Sequence, residues 1–280
     1  MLFDQITIVG VGLIGGSVGL AAKVRGVARR IVGVGREPRS LARAVELGAI
    51  HSGTCDLVEG VRHAGLIVVC TPVDQIAEII VQAAQNCLRG VIFTDGGSTK
   101  GSIVARVAGN LPEGIEFVPA HPLAGSEKSG PENAQSELFV KRTTVVTPIP
   151  TNSPAAIERV VQFWQALGST VLMMSPDDHD RALAATSHLP HALAAALAGM
   201  TPIDLLSLTA GGFRDVTRIA AGDPRMWVPI FQANRESVLT ALAAFTDRIS
   251  DFRRMLEAGD GAGLVRWLTE AKQVRDALGS

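Results

Sequence analysis

Five groups of residues in this 280-residue chain have the types and spacing to do chemistry. The first is Gly10-Val11-Gly12-Leu13-Ile14-Gly15, a GxGxxG set directly after the apolar run Ile6-Thr7-Ile8-Val9. There the first glycine permits a tight turn and the second lets the backbone approach a pyrophosphate. The third lets a helix pack on the strand, with its N-terminus facing the negative charge. Near the end of the next strand, where an acid would hold the ribose 2′-hydroxyl of NAD, the chain has Gly35 and Arg36. A missing carboxylate and a guanidinium suit a 2′-phosphate, which favours NADP. Glu37 is the alternative acid for NAD, and Arg36 as an ordinary surface residue is the bland reading.

The second and third groups are Asp95-Gly96-Gly97-Ser98-Thr99-Lys100 and residues 121–130, HPLAGSEKSG, each following a strand pattern. Loops at the carboxyl ends of parallel strands are where open α/β sheets bind ligands. His121, beside Pro122 and near Ser126 and Glu127, suits a positioned general base; a buried capping histidine is the alternative. Fourth, Asp180, Ala184, Ser187, His188 and His191 stand at i, i+4, i+7, i+8 and i+11, one face of a helix that is otherwise mostly Ala and Leu. Such a stripe faces a substrate pocket or solvent. It lacks the HExxH pattern of a metal helix, so no metal is expected. Fifth, Arg214 and Arg218 share a face if their segment is helical. Asp215 could pair with Arg218, or one arginine could clamp a substrate carboxylate.

The elements that must position these groups are legible from periodicity. Apolar runs at 6–9, 31–34, 66–70, 91–94, 116–119, 143–147 and 170–174 alternate with helical patterns at 13–25, 40–47, 73–85 and 154–167. Alternation of this kind predicts βαβ units and a parallel sheet. After Ser175 the strand patterns stop. Ser175-Pro176-Asp177-Asp178 starts a helix to about Met200, with a kink expected at Pro190. Asp223-Pro224 starts a second, long helix with an apolar seam through Trp227, Phe231, Val238, Leu242, Phe245, Ile249 and Phe252. A last helix covers 264–278. This predicts a Rossmann-type dinucleotide-binding domain over 1–175 and an all-helical domain over 176–280.

Composition removes several classes. Twenty-six basic and 27 acidic residues leave a net charge of −1, so no nucleic-acid footprint exists. The three cysteines, Cys55, Cys70 and Cys87, form no CxxC pair, which argues against a disulfide framework or a cysteine zinc site. No apolar run is long enough to span a bilayer and the N-terminus carries no basic leader, so a cytoplasmic protein without a membrane partner is expected.

Taken in order along nearly the whole chain, the motifs resemble the prephenate/arogenate dehydrogenase family of tyrosine biosynthesis. The resemblance rests on GxGLIGGS at 10–17, Cys70-Thr71-Pro72, the Ser98 loop, HPLAGSEKSG at 121–130, DHD…SHLPH across 178–191, and GFRDVTRIA…DPRMW across 212–227. It implies a Rossmann domain, a helical domain that forms a homodimer, and oxidative decarboxylation of prephenate to 4-hydroxyphenylpyruvate with hydride transfer to NAD(P). In that reading His121 takes the proton of the ring hydroxyl, and Ser98 holds His121 and the nicotinamide in register. Arg218 binds a substrate carboxylate, and Glu127, His188, His191 and Trp227 shape the pocket. Gly10, Gly12, Leu13, Ile14, Gly15, Gly35, Arg36, Cys70, Thr71, Pro72 and Ser98 hold the cofactor. The sequence runs only about 50 residues past Trp227, so no appended chorismate mutase or regulatory domain is expected, and any feedback inhibition by tyrosine is expected to be competitive, at the active site.

Arogenate, with an amino group in place of the keto group, is the alternative substrate; Glu127 and the paired histidines lean towards prephenate. More distant alternatives are a β-hydroxyacid or imine reductase and an NADP-binding sensor. The former rely on a lysine in the helical domain, and residues 176–200 contain none. The latter would not need His121, Ser98 and Arg218.

Overall fold

A computed structural model describes residues 1–126 and 128–279; Glu127, assigned above to the pocket, lies outside the described residues. The first half winds as β1 (Phe3–Val9), α1 (Leu13–Val24), β2 (Ala28–Val34), α2 (Pro38–Glu46), β3 (Ser52–Thr54), α3 (Leu57–Val61), β4 (Leu66–Val69), α4 (Val73–Ala84), β5 (Ile92–Asp95), α5 (Gly101–Val107) and β6 (Glu116–Phe117). Its six strands are all parallel, in the order β3-β2-β1-β4-β5-β6. That is a Rossmann sheet whose strand order reverses between β1 and β4, so a crevice opens where the loops after those strands part.

Burial explains the near-continuous apolar strands. On β4, Leu66 and Val68 enter one core layer with Ile6, Ile8 and Trp164, while Ile67 and Val69 enter the other with Ile76, Ile80 and Phe93. Successive side chains point to opposite faces, and helices cover both.

The strand pattern at 116–119 ends early. Pro119 has no N–H to donate to a ladder, and the chain leaves the first sheet there. It re-enters as β7 (Ala120–Pro122) of a second sheet. β7 runs antiparallel to β8 (Thr143–Val146), and β8 pairs in parallel with β9 (Thr170–Met173) across α6 (Pro154–Ala166). His121 therefore sits within a strand, opposite Val145, rather than on a free loop.

The helix from Pro176 is interrupted as expected, but by a widened turn. α7 (Pro176–Leu183) is capped by the Ser175 hydroxyl, which accepts from the Asp178 N–H. A π-helical turn over Ala184–His188 follows, closed by the Leu189 N–H on the Ala184 carbonyl, and α8 (Leu189–Met200) continues. Pro190 lacks the N–H an α-helical register would use, and the extra residue of the π turn absorbs the defect.

α9 (Gly211–Thr217) passes into a 3₁₀ turn at Arg218–Ala221. The long helix expected from Pro224 is two helices, α10 (Pro224–Ala233) and α11 (Arg235–Glu257), because Asn234 leaves helical geometry with φ −113° and ψ 30°. Its side chain is buried and spends its amide on another segment. α12 (Gly261–Ala277) ends the fold.

The chain separates into two compact units, Met1–Asn234 and Arg235–Ser280. Within the second, Phe252 packs on Trp267, and Arg248 lies over Trp267 and pairs with Glu270. No α11 residue is buried, and Leu239, Leu242, Ile249 and Leu256 stay exposed. Among the described residues no helix is long and apolar enough to cross a membrane.

Candidate active site

The glycine turn has the predicted shape. Gly10 adopts φ +91°, a backbone region L side chains avoid, and a β-carbon there would lie 2.8 Å from the Cys70 carbonyl. A β-carbon on Gly15 would lie 2.1 Å from the Gly10 carbonyl oxygen, which is how close α1 comes to β1. A β-carbon on Gly12 would meet nothing within 4 Å, so it would project into open space at the start of α1. The free N–H groups of that first turn open on the same space. Beside it the Thr71 hydroxyl is buried without a hydrogen-bond partner among the described residues. A space kept clear by glycine, lined by helix N–H groups and an unpaired hydroxyl, fits the pyrophosphate of a dinucleotide.

At the end of β2, Arg36 is exposed, and its guanidinium makes no ion pair or hydrogen bond among the described residues. The Glu37 carboxylate accepts from the Ser40 hydroxyl at 3.2 Å. Gly35 packs over Leu41.

Gly96 marks where the pieces meet. A β-carbon on it would touch Ile14 of the glycine turn, the Cys70 sulfur and the Pro122 ring, at 3.4–3.8 Å. The loop after β5 thus lies between the cradle and the strand carrying His121. A buried charge pair fastens it. Lys100 and Asp95 are fully buried and paired; Lys100 Nζ also donates to the Ala120 carbonyl at 2.7 Å, and Asp95 accepts the Ala120 N–H at 3.0 Å and the Gly97 N–H at 2.9 Å. Both backbone groups of the residue before His121 are therefore held by the loop that bears Ser98. Burial pulls the Lys100 ammonium below its usual range, and Asp95 and Asp180 oppose the shift. Beneath the cradle, burial and Asp95 push the Cys70 thiol up to about 12, so it packs as an inert side chain.

The ring of His121 is half-buried, with Nδ1 2.9 Å from His179 Nε2. Ser98 makes no hydrogen bond to it; the partner on Nδ1 is His179. His179 Nδ1 in turn lies 2.8 Å from Asp180 Oδ1. The remaining histidines follow on the same helical segment. The Asn234 amide donates to the Asp180 carbonyl at 2.7 Å and lies 3.1 Å from His188 Nδ1, while His188 Nε2 is buried and has no partner among the described residues. His191 stacks on Trp227 at 3.6 Å, and Trp227 meets His188 edge-on. The stripe of polar residues is thus turned inward, with Asp180, His188 and His191 all buried.

Arg218 is exposed at the 3₁₀ turn after α9. That turn leads to Gly222, whose β-carbon would touch Trp227 and His191. Neither Arg214 nor Asp215 pairs with it among the described residues. Nor do those residues contain a cluster of three or more His, Cys, Asp or Glu side chains able to hold a metal.

Burial, with His179, Lys100 and His188 nearby, holds His121 well below the usual imidazole range. Burial lowers His188 to about 4, and His191 is lowered by burial too. These folded-state values lie below those of the unfolded chain, so on acidification the unfolded chain takes up protons first and stability falls. Tm should therefore drop steadily as pH is lowered from about 6.5 towards 4. A scanning-calorimetry series with a flat Tm over that interval would contradict the assignment of neutral, buried rings.

Comparison with known proteins places this arrangement. Residues 18–173 match the family model of the prephenate dehydrogenase nucleotide-binding domain, and residues 175–270 that of the prephenate dehydrogenase dimerization domain. The chain belongs to the prephenate dehydrogenase family. It is 35% identical to the cyclohexadienyl dehydrogenase of Zymomonas mobilis, over 99% of this chain and 97% of that protein. It is 33% identical to the prephenate dehydrogenase of Bacillus subtilis, over 98% of this chain and 76% of that protein. The crystal structure of the Aquifex aeolicus prephenate dehydrogenase with hydroxyphenyl propionate and NAD+ superposes with a TM-score of 0.91 at 32% identity, covering 98% of each chain. Membership makes the chain an NAD(P)-dependent oxidoreductase with a Rossmann domain. His179 and Asn234 carry no role in the sequence reading, and Asp95 and Lys100 stand there only as the ends of the second group. The first stands between two acids in Asp178-His179-Asp180, and that flanking was the available signal.

Proposed function

We propose that this chain oxidises and decarboxylates prephenate to 4-hydroxyphenylpyruvate, reducing NAD(P). The observation that carries the reading is the meeting of the glycine turn, the Ser98 loop and the His121 strand around Gly96, with a neutral imidazole beside a dinucleotide cradle. A bound nicotinamide supplies the hydride acceptor. His121 accepts the ring-hydroxyl proton as the hydride leaves the same carbon. The ring carboxylate departs as carbon dioxide, its electron pair makes the ring aromatic and drives the step, and the ring oxygen takes a proton back to become the phenol hydroxyl. Ser98, on the loop fastened to the His121 strand, keeps the nicotinamide in register with that strand, and Arg218 holds a substrate carboxylate by charge-assisted hydrogen bonds. His188, His191 and Trp227 wall the pocket and exclude water. Thr71, with its flanking Cys70 and Pro72, lines the cofactor side along with Gly10, Gly12, Leu13, Ile14 and Gly15. Residues 1–175 serve cofactor binding. Residues 176–280 serve the substrate and a homodimer, which the exposed apolar face of α11 supports.

The likeness to a cyclohexadienyl dehydrogenase favours a second activity on arogenate. Measuring kcat/KM for prephenate and arogenate, each with NAD and NADP, tests both readings. The expected result is turnover of prephenate; turnover of neither substrate contradicts the reading. NADP is the expected better cofactor because the Arg36 guanidinium has no partner among the described residues. Arg36→Ala should raise the NADP KM by roughly tenfold or more, the worth of a charge-assisted bond, and leave the NAD KM nearly unchanged. An unchanged NADP KM would remove Arg36 from the cofactor site.

A further inference from the structure

The assignment of His121 as the base leaves open which ring nitrogen does the work, and the neighbouring contacts fix it. The Asp180 carboxylate accepts the Lys100 N–H on Oδ1 and the Gly101 N–H on Oδ2, each at 2.8 Å. Burial opposes its charge, but hydrogen bonds from His179, Gly101 and Lys100 hold it below the usual carboxyl range, so its oxygens only accept. His179 Nδ1, 2.8 Å away, must then donate. With one proton on each ring, His179 Nε2 carries a lone pair, and His121 Nδ1, 2.9 Å from it, must donate in turn. The free lone pair of His121 is left on Nε2.

We infer that His179 and Asp180 are positioning residues, which hold His121 in the tautomer with Nδ1 protonated and Nε2 free as the proton acceptor. The inference rests on the proposed role of His121. On reaction the substrate O–H bond breaks and the His121 Nε2–H bond forms. The Nδ1–H stays in place, and the new positive charge faces His179 and the Asp180 carboxylate. Besides those two, Lys100 and His188 are the charged or titratable groups acting on His121. Sequence spacing hides the chain, since His121 and His179 are 58 residues apart.

The test is long-range ¹⁵N–¹H NMR of the histidine rings in the full-length protein at neutral pH, without substrate. It expects His121 with a protonated Nδ1 and an unprotonated Nε2; a protonated Nε2 would overturn the inference whatever the folding of any variant. Two replacements extend the test. His179→Gln can still donate to Asp180 and accept from His121, so it should keep the tautomer and most of kcat. His179→Leu should lose the single tautomer and roughly 10²-fold in kcat, with little change in cofactor KM and a shifted acid limb in the pH profile. A folded His179→Leu protein with wild-type kcat, pH profile and His121 tautomer would also overturn it. Wild-type inactivity on prephenate would instead strike the proposed reaction, because the ring tautomer is read without turnover.

Discussion

His121→Asn should lower kcat by roughly 10²–10⁴-fold, the usual worth of a positioned general base, while dinucleotide binding stays close to wild type. The expectation follows from placement. His121 lies on β7, and its neighbour Ala120 is pinned through both backbone groups, so the amide can take the ring's place without moving the strand. Asn offers no group that accepts a proton at neutral pH. The wild-type pH profile supplies a companion sign. Burial and the nearby His179, Lys100 and His188 hold His121 well below the ordinary histidine range, so the ring is already neutral at pH 7. The acid limb of kcat/KM should therefore lie below about 6.5, with activity falling as pH drops through it. Steady-state kinetics of both proteins across pH, with a binding titration for the cofactor, checks this; unchanged kcat in the variant removes His121 from the chemistry.

Lys100→Met should cost about 3–5 kcal/mol of folding stability, the penalty for stranding a buried charge. In a chain of this size that is a fall of about 10 °C in Tm. Asp95 would keep the Gly97 and Ala120 N–H groups but lose its counter-charge, and the Ala120 carbonyl would lose its donor. The same change loosens the loop bearing Ser98 from the strand bearing His121, so kcat should fall with Tm. Combining Lys100→Met with Asp95→Asn removes both charges and should recover part of the stability, because the cost of the single change is the orphaned partner. Thermal denaturation of the three variants is the measurement. A single variant as stable as wild type would show that the pair does not hold the loop.

The features legible in the sequence are those whose cause is local. The glycine turn could be read because most of its demands are local: Gly10 adopts φ +91°, Gly15 meets the Gly10 carbonyl and Gly12 opens the start of α1, although Gly10 also clears the distant Cys70. The parallel sheet could be read because strands buried on both faces are apolar throughout. Ser175-Pro176 and Asp223-Pro224 start helices as their capping chemistry requires. Breaks within elements were less legible. Asn234 is a poor helix former within an apolar seam, yet only its tertiary bonds to Asp180 and His188 make it end α10. Pro190 announced an irregularity, but its form as a π turn over the preceding residues depends on packing. Pro119 was the sign that the strand at 116–119 would not run through. Least legible was the His121–His179–Asp180 chain. Periodicity placed Asp180 on a face with His188 and His191, but nothing local ties that face to a strand far earlier in the chain.

The most direct measurement is product stoichiometry. The protein is incubated with prephenate and NAD or NADP, and reduced cofactor, carbon dioxide and 4-hydroxyphenylpyruvate are counted together. The account predicts that the three form in equal amounts and that His121→Asn lowers all three in parallel. Cofactor reduction without carbon dioxide, or no reduction with either dinucleotide, would contradict it.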